Sequence, residues 1–263
     1  MLRIEKVDES NKQRIIDLLR FDVVHHVLAF YDIQFEPHHT SMYAAFEDES
    51  LKGYVLIYDN ALDFPSVVLE GESCAAERLL DHAPQNQFIM HVPPDLLQLV
   101  KGRFPSVKSY VENWMLVKKD EAKFLRSTLT RRLRMAGDAA KLDTLFLACE
   151  ERSTGVMKYS GWMGRMPTYG VFLKEELVSC AGSFLQLPQV WMIGGVYTHP
   201  NHRNKGYATL ATSAVTEEAL KNAEAAALFV RSDNYSAIKA YERIGYKKVG
   251  EKMWVDVETE RKP

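Results

Sequence analysis

Cysteine is scarce in this chain. Its three cysteines, Cys74, Cys149 and Cys180, stand in apolar settings without paired spacing, which argues against a disulfide framework or a cysteine-based zinc site and suits a reducing cytoplasm. Histidine offers no metal pattern either. His25-His26 and His38-His39 are adjacent pairs whose rings project apart, and His82 and His91 have no evident partner, so no metal site is expected. Long apolar runs are missing: no stretch reaches the roughly 18 residues of a membrane span. The opening MLRIEKVDESNKQRIIDLL is charged throughout, unlike a secretory signal. Net charge is small as well, 33 basic against 35 acidic side chains, so nothing draws the chain to nucleic acid or membrane. The local cluster of Arg131, Arg132 and Arg134 reads as a solvated strand face. A cytoplasmic protein with no nucleic-acid or membrane partner is expected.

What is present is an ordinary globular composition, 46% apolar and 26% charged over 263 residues. That length suits two domains of about 130 residues, each with its own core. In the first half LRIEKV reads as a strand, followed by a helix with Ile15, Leu18 and Leu19 on one face. SMYAAFED and LKGYVLIYD are strands joined by a charged turn, and SVVLEGE is another. SCAAERLLDHA reads as a helix with Ser73 as N-cap. NQFIMHV (strand), PDLLQLVKGRF (helix) and VKSYVENWMLVKK (extended) complete that half.

The second half repeats the order. TRRLRM is a strand, and Gly137-Asp138 introduces a helix whose Leu142, Leu145, Phe146 and Cys149 share a face. A loop rich in Gly, Met and aromatics precedes the hairpin TYGVFLKE/ELVSCAGSFLQL and the strand VWMIGGVYT. A helix after Gly206, the strand AAALFVRS, the helix NYSAIKAYERIG and the strand YKKVGEKMWVDV follow. The charged stretch KKDEAKF, residues 118–124, is the natural boundary, which places domains at 1–122 and 123–263. Each half is expected to be an α/β (α+β) unit.

The densest chemistry lies in HPNHRNKGYAT, residues 199–209, between a strand and a helix. A glycine with small residues at a helix start lets a ligand approach the backbone. The first amides of the helix and its dipole favour an anion there. Arg203 and Lys205 add charge that suits a pyrophosphate, while a plain surface turn accounts for the composition equally well. The spacing is neither a Walker loop nor a GxGxxG fingerprint.

Arg203-Asn204-Lys205-Gly206-Tyr207-Ala208 instead resembles the (Gln/Arg)-x-x-Gly-x-(Gly/Ala) signature of the GNAT N-acetyltransferase superfamily. Asn234, Ala237, Tyr241 and Gly245-Tyr246 are similar to that superfamily's second motif, in the right order and with the expected strand between. The resemblance covers roughly residues 125–260. It implies two GNAT-like domains, each a mixed, mostly antiparallel twisted sheet flanked by helices. It further implies acetyl-CoA as co-substrate, coenzyme A as product, and an unidentified amine as acceptor.

By the same resemblance, the cofactor-binding set is Val196, Tyr197, Thr198, Arg203, Asn204, Lys205, Gly206, Tyr207, Ala208, Thr209, Asn234 and Tyr241. Amides of residues 203–208 hold the pyrophosphate, and backbone groups of Val196 and Thr198 pair with the pantetheine arm. Tyr241 protonates the leaving thiolate as general acid. A core aromatic is the other account of Tyr241. No base is named, because VWMIGGVYT carries no carboxylate, Glu175 and Glu176 fall in a hairpin turn, and His199 fits a solvent-facing loop equally well.

Gly194-Gly195 marks either a bulge with room for a bulky acceptor or longer acyl chain, or simple packing. Tyr159, Trp162, Met163 and Met166 offer apolar surface where relatives shape the acceptor pocket. The first half has acidic Glu72 where cations are needed, and is expected to be a degenerate GNAT-like domain without a CoA motif. The leading reading is transfer of an acetyl or other short acyl group to a small amine or amino acid. A protein N-acetyltransferase and a non-catalytic acyl-CoA sensor are the alternatives.

Overall fold

In a computed structural model, the described residues are 1–60, 64–104, 106–148 and 166–258. The chain divides into two compact units, Met1–Glu112 with Glu251–Pro263, and Asn113–Gly250. Strands of the first unit are β1 (Leu2–Lys6), β2 (Thr40–Glu47), β3 (Ser50–Tyr58), β4 (Ser66–Gly71) and β5 (Phe88–Val92). β6 (Val107–Lys118) leads on to β7 (Thr130–Arg132), β8 (Thr168–Leu173), β9 (Glu176–Gln186), β10 (Val190–Thr198), β11 (Ala225–Arg231) and β12 (Lys247–Val257). The helices are α1 (Lys12–Leu19), α2 (Val27–Phe35), α3 (Ser73–Leu79) and α4 (Leu97–Arg103), then α5 (Met135–Leu147), α6 (Tyr207–Asn222) and α7 (Tyr235–Ile244). None of the described helices is long and apolar enough to cross a membrane.

Strand order in the first unit is β1-β2-β3-β4-β5-β12, and in the second β7-β8-β9-β10-β11-β6. In each, the first four strands are antiparallel and the fourth and fifth are parallel. The halves therefore share one topology, with their sixth strands exchanged along the chain. β12 ends in the first unit, where Met253–Val257 run antiparallel to β5 from Val92 back to Phe88. β6 begins in the first unit and ends beside β11 in the second. Residues 118–124 follow β6, whereas the compact units divide within β6 and within β12.

Two local expectations need correction. Ser73 is the first residue of α3, not its cap; extended Glu72 occupies that place without a side-chain cap bond. Gly137-Asp138 does not open α5, which starts at Met135. The buried Asp138 carboxylate accepts the Arg134 N–H at 2.8 Å and both terminal nitrogens of Arg131 at 2.7 and 2.8 Å. That charge-assisted set anchors the first turn and overrides the poor helix propensity of glycine. On α1, Ile15, Ile16 and Leu19 are buried and Leu18 is half-buried.

The first unit buries an unusual set of polar groups. Tyr54 on β3, Glu70 on β4, His91 on β5 and Lys252 on β12 are all buried, as is Glu112 at the end of this unit's part of β6. Lys252 is ion-paired to Glu70, whose other oxygen lies 3.4 Å from His25 Nε2. His26 Nδ1 stands 2.9 Å from the Tyr54 hydroxyl. Burial alone would raise the Glu70 carboxyl, but His25 and the Lys252 ammonium outweigh it and hold it below its ordinary value. Burial pushes the His91 imidazole down to about 4, with the Lys252 charge adding to the effect.

A histidine held neutral in the native state binds fewer protons than in the unfolded chain between about pH 4 and pH 6.5. Its contribution is complete above that window and disappears as pH falls through it. Relative to His91→Asn, the unsubstituted protein is therefore expected to lose about 2–3 kcal/mol more stability between pH 7 and pH 4.5. Denaturant titrations of both proteins at the two pH values measure this; parallel pH dependences would contradict it.

Candidate functional site

β10 and β11 pair in parallel only over Val190–Ala225, Trp191–Ala226 and Met192–Ala227. Beyond Met192 the two strands part, leaving a fork with β10 as one wall. On its other edge β10 keeps its antiparallel pairing with β9, through a bulge in which Gly194 to Tyr197 oppose Gly182 to Cys180. Gly195 sits in the bulge at φ 57°. Gly194 has a packing reason: a Cβ built there would stand 2.9 Å from the Phe184 ring. At Gly194 the side-chain space is thus taken by Phe184.

Peptide groups along a strand point alternately to its two edges. The His199 N–H bonds to the Val178 carbonyl at 2.9 Å and the Tyr197 carbonyl accepts the Ser179 hydroxyl at 2.8 Å, so both face β9. By alternation the groups of Thr198 face the fork, while Val196 lies within the bulge, where the alternation is interrupted. The Tyr197 ring turns onto Phe146 of α5, centroids 4.5 Å apart and nearly perpendicular.

Residues 199–206 join β10 to α6. His199 opens a short 3-10 turn and its Nδ1 accepts the Asn201 N–H at 3.2 Å, a structural use for that ring. Arg203 Nε donates to the Thr198 carbonyl at 3.4 Å and Lys205 Nζ to the Asn201 carbonyl at 3.1 Å. Both cations are thereby held beside the loop. Asn204 and Gly206 are left-handed, at φ 62° and 81°. Gly206 is the N-cap of α6, and a Cβ built on it would meet nothing within 4 Å.

The first helical bond runs from the Leu210 N–H to the Gly206 carbonyl. Helix geometry therefore gives the amides of Tyr207, Ala208 and Thr209 no carbonyl of their own helix. The outcome is open space at the positive end of a 16-residue helix, flanked by two cations. Ala211, Val215 and Ala219 are buried in the core of the unit and fix the direction of the helix.

The second motif lies on α7. Asn234 caps that helix, its side-chain oxygen accepting the Ala237 N–H at 3.1 Å. Left-handed Gly245 closes it, with the Tyr246 N–H on the Tyr241 carbonyl. Tyr241 is buried in the cluster that includes Leu228, Val230, Ile244 and Tyr246. The Tyr246 hydroxyl is bonded to Thr216 at 2.8 Å, deep in the core.

Glu175 pairs with Lys141 at 3.1 Å, and Glu176 lies 3.7 Å from His202 Nε2. The basic cluster is engaged internally: Arg131 holds Asp138 and lies over Phe172, and Arg132 holds Glu218 at 2.9 Å. Among the described residues no three His, Cys, Asp or Glu side chains converge as metal ligands. Tyr159, Trp162, Met163 and Cys149 lie outside the described residues, while Met166 packs against the cluster around Leu142 and Phe146.

Sequence similarity enters over this same segment. Residues 168–255 match the family described as FR47-like protein. A tandem GNAT protein from the clavulanic acid biosynthesis pathway superposes with a TM-score of 0.60 at 12% identity, covering 99% of this chain and 100% of that one. The chain has the GNAT fold. A GCN5-related N-acetyltransferase from Kribbella flavida is similar over 81% of this chain and 90% of its own, with a TM-score of 0.62 at 14% identity. A Drosophila protein is similar over 97% of this chain and 98% of its own, with a TM-score of 0.76 at 15% identity. No curated protein matches the chain.

Both units have the GNAT-like fold, yet their forks differ. β4 and β5 pair in parallel over three residues, as β10 and β11 do, and then part. But β4 ends at Gly71 and α3 begins at Ser73, so Glu72 alone stands where the second unit has residues 199–206. Lys52 is ion-paired to Glu72 at 2.9 Å. Beyond the last β4–β5 pair stands Glu70, ion-paired to Lys252 and opposite Tyr54 on β3. The sequence signal for this difference was the missing motif; the buried ion pair gave no signal of its own.

Gly194→Ala places a methyl against the Phe184 ring and is expected to destabilise the protein by about 1–3 kcal/mol. Combining it with Phe184→Leu should recover most of that loss in denaturant titrations. An unchanged midpoint for Gly194→Ala alone would show that the ring is not held against β10.

Proposed function

We propose that the chain is an N-acyltransferase, moving an acetyl or other short acyl group from acyl-CoA to the primary amine of a small molecule or amino acid by direct attack. The observation that carries this reading is the β10–β11 fork ending at the unfilled, amide-rich start of α6. The cradle fits a pyrophosphate: Gly206 leaves open space, three helix-start amides offer donors, and Arg203 and Lys205 supply charge. Acyl-CoA, when bound, supplies the acyl group as a thioester.

The chain's own residues do the rest. Amides from Asn204 to Thr209 hold the pyrophosphate, the Arg203 N–H being spent on the Pro200 carbonyl, and the Val196 and Thr198 peptide groups line the fork for the pantetheine arm. An N–H in that wall stabilises developing oxyanion charge, a contribution of about 3–4 kcal/mol in acyl-transfer sites. Asn234 fixes the start of α7, and Tyr241 on that helix donates a proton to the departing thiolate. The first unit, with Glu70 and Lys252 beyond the end of its β4–β5 pairing and no loop before α3, has no CoA site and serves the second as scaffold.

A second reading is a non-catalytic acyl-CoA sensor. It is favoured by one observation, the lack of any carboxylate on β10 to accept a proton from an ammonium of pKa near 10.4.

Release of free thiol from acetyl-CoA, followed against a panel of amines, separates the two. Turnover with at least one amine supports the enzyme; tight CoA binding without turnover on any amine supports the sensor. A Cβ at Gly206 meets no neighbour within 4 Å, but at φ 81° any side chain strains the backbone, so Gly206→Val should lower the melting temperature while the folded variant's CoA affinity falls more than about tenfold. Unaltered affinity refutes the cradle. Tyr241→Phe should lower kcat about tenfold or more with CoA affinity kept, and an undiminished rate would remove the proton-donor role.

A further inference from the structure

Ser179 on β9 is completely buried, yet none of its hydroxyl contacts serves its own strand. Its Oγ lies 2.8 Å from the Tyr197 carbonyl and 2.8 Å from Thr198 Oγ1, both on β10. The direction of each bond is fixed by proton count. A carbonyl can only accept, so the single Ser179 proton goes to Tyr197, and the Thr198 hydroxyl must then donate to Ser179 Oγ.

The position of this relay matters more than its strength. β10 has lost β11 as a partner after Met192, and its ladder with β9 is interrupted by the bulge between Gly194 and Tyr197. The stretch that forms the fork wall thus has a strand partner on one edge, immediately after a disruption. Ser179 clamps the two residues that follow the bulge. One of them, Thr198, presents its peptide group to the fork and receives the Arg203 side chain on its carbonyl at 3.4 Å.

We propose that Ser179 is a positioning residue for acyl-CoA: through Tyr197 and Thr198 it fixes the fork wall and the entry to the pyrophosphate loop. The inference rests on the acyl-CoA reading of the fork. Removing the hydroxyl takes one donor from the Tyr197 carbonyl and one acceptor from the Thr198 hydroxyl. The wall then loses its set direction, while the amides of α6 are untouched.

The test uses the full chain and coenzyme A itself, with affinity measured by titration calorimetry alongside melting temperature. Ser179→Ala is expected to weaken CoA binding about five- to tenfold, the size of effect of one hydrogen bond. Thr198→Val, which keeps the shape but not the hydroxyl, should do the same, and Thr198→Ser should retain unaltered affinity. The double variant Ser179→Ala/Thr198→Val should be no worse than either single one, because both cut the same relay. A lowered melting temperature with unchanged CoA affinity in both single variants would overturn the proposal, as would fully additive losses. If the unsubstituted protein fails to bind coenzyme A, the acyl-CoA reading itself falls, which is a different outcome from variants that bind equally well.

Discussion

A strand in a sheet has two hydrogen-bonding edges, and the second unit is organised around a strand that gives one of them up. β10 shares only three pairs with β11 and then continues beside β9 alone. The freed edge exposes peptide groups that other strands spend on a neighbour, and it opens onto the start of α6. That opening would be costly if the strand were loose. It is held by the β9 register, by Ser179 and by the buried face of α6, so the exposed groups have a fixed geometry. The site is a gap in a ladder whose surroundings are otherwise complete.

The first unit shows what the same topology does when the gap is not kept open. Its strands also part after three parallel pairs, but an ion pair between Glu70 and Lys252 stands just beyond, with Tyr54 and His25 close by. Buried charges of this kind are costly to desolvate and add little net stability, while loss of one partner is severely destabilising. The two units therefore differ less in fold than in what occupies equivalent places: paired side chains in one, helix-start amides with no carbonyl of their own helix in the other.

Much of the second unit was readable because its signals are local. The helix NYSAIKAYERIG and the helix start after Gly206 depend on residues within a turn of one another. The features that escaped depend on partners far away in sequence. Hydrophobic alternation marks β12 as a strand but cannot say that residues 253–257 pair with β5, more than 150 positions earlier. Gly194 was open to two accounts, spare room or packing, because Phe184, on the neighbouring strand, cannot be placed over it from spacing alone. Ser179 is an unremarkable serine in an apolar strand until its two partners on β10 are brought against it. Gly137 misled for the opposite reason: a local rule was sound, but Asp138 and Arg131 outweighed it.

The exchange of the sixth strands has a consequence for how the chain comes to its native state. The first unit cannot close β5 with its own neighbour until residues 251–257 have been synthesised, although everything else it needs is made by about the midpoint of translation. Through that interval β5 is an unpaired edge, open to any other strand. Cutting the gene at the loop between the halves would make the exposure permanent for one fragment and strand the matching segment on the other. The two units are separate compact bodies, yet neither is finished before the other is nearly complete.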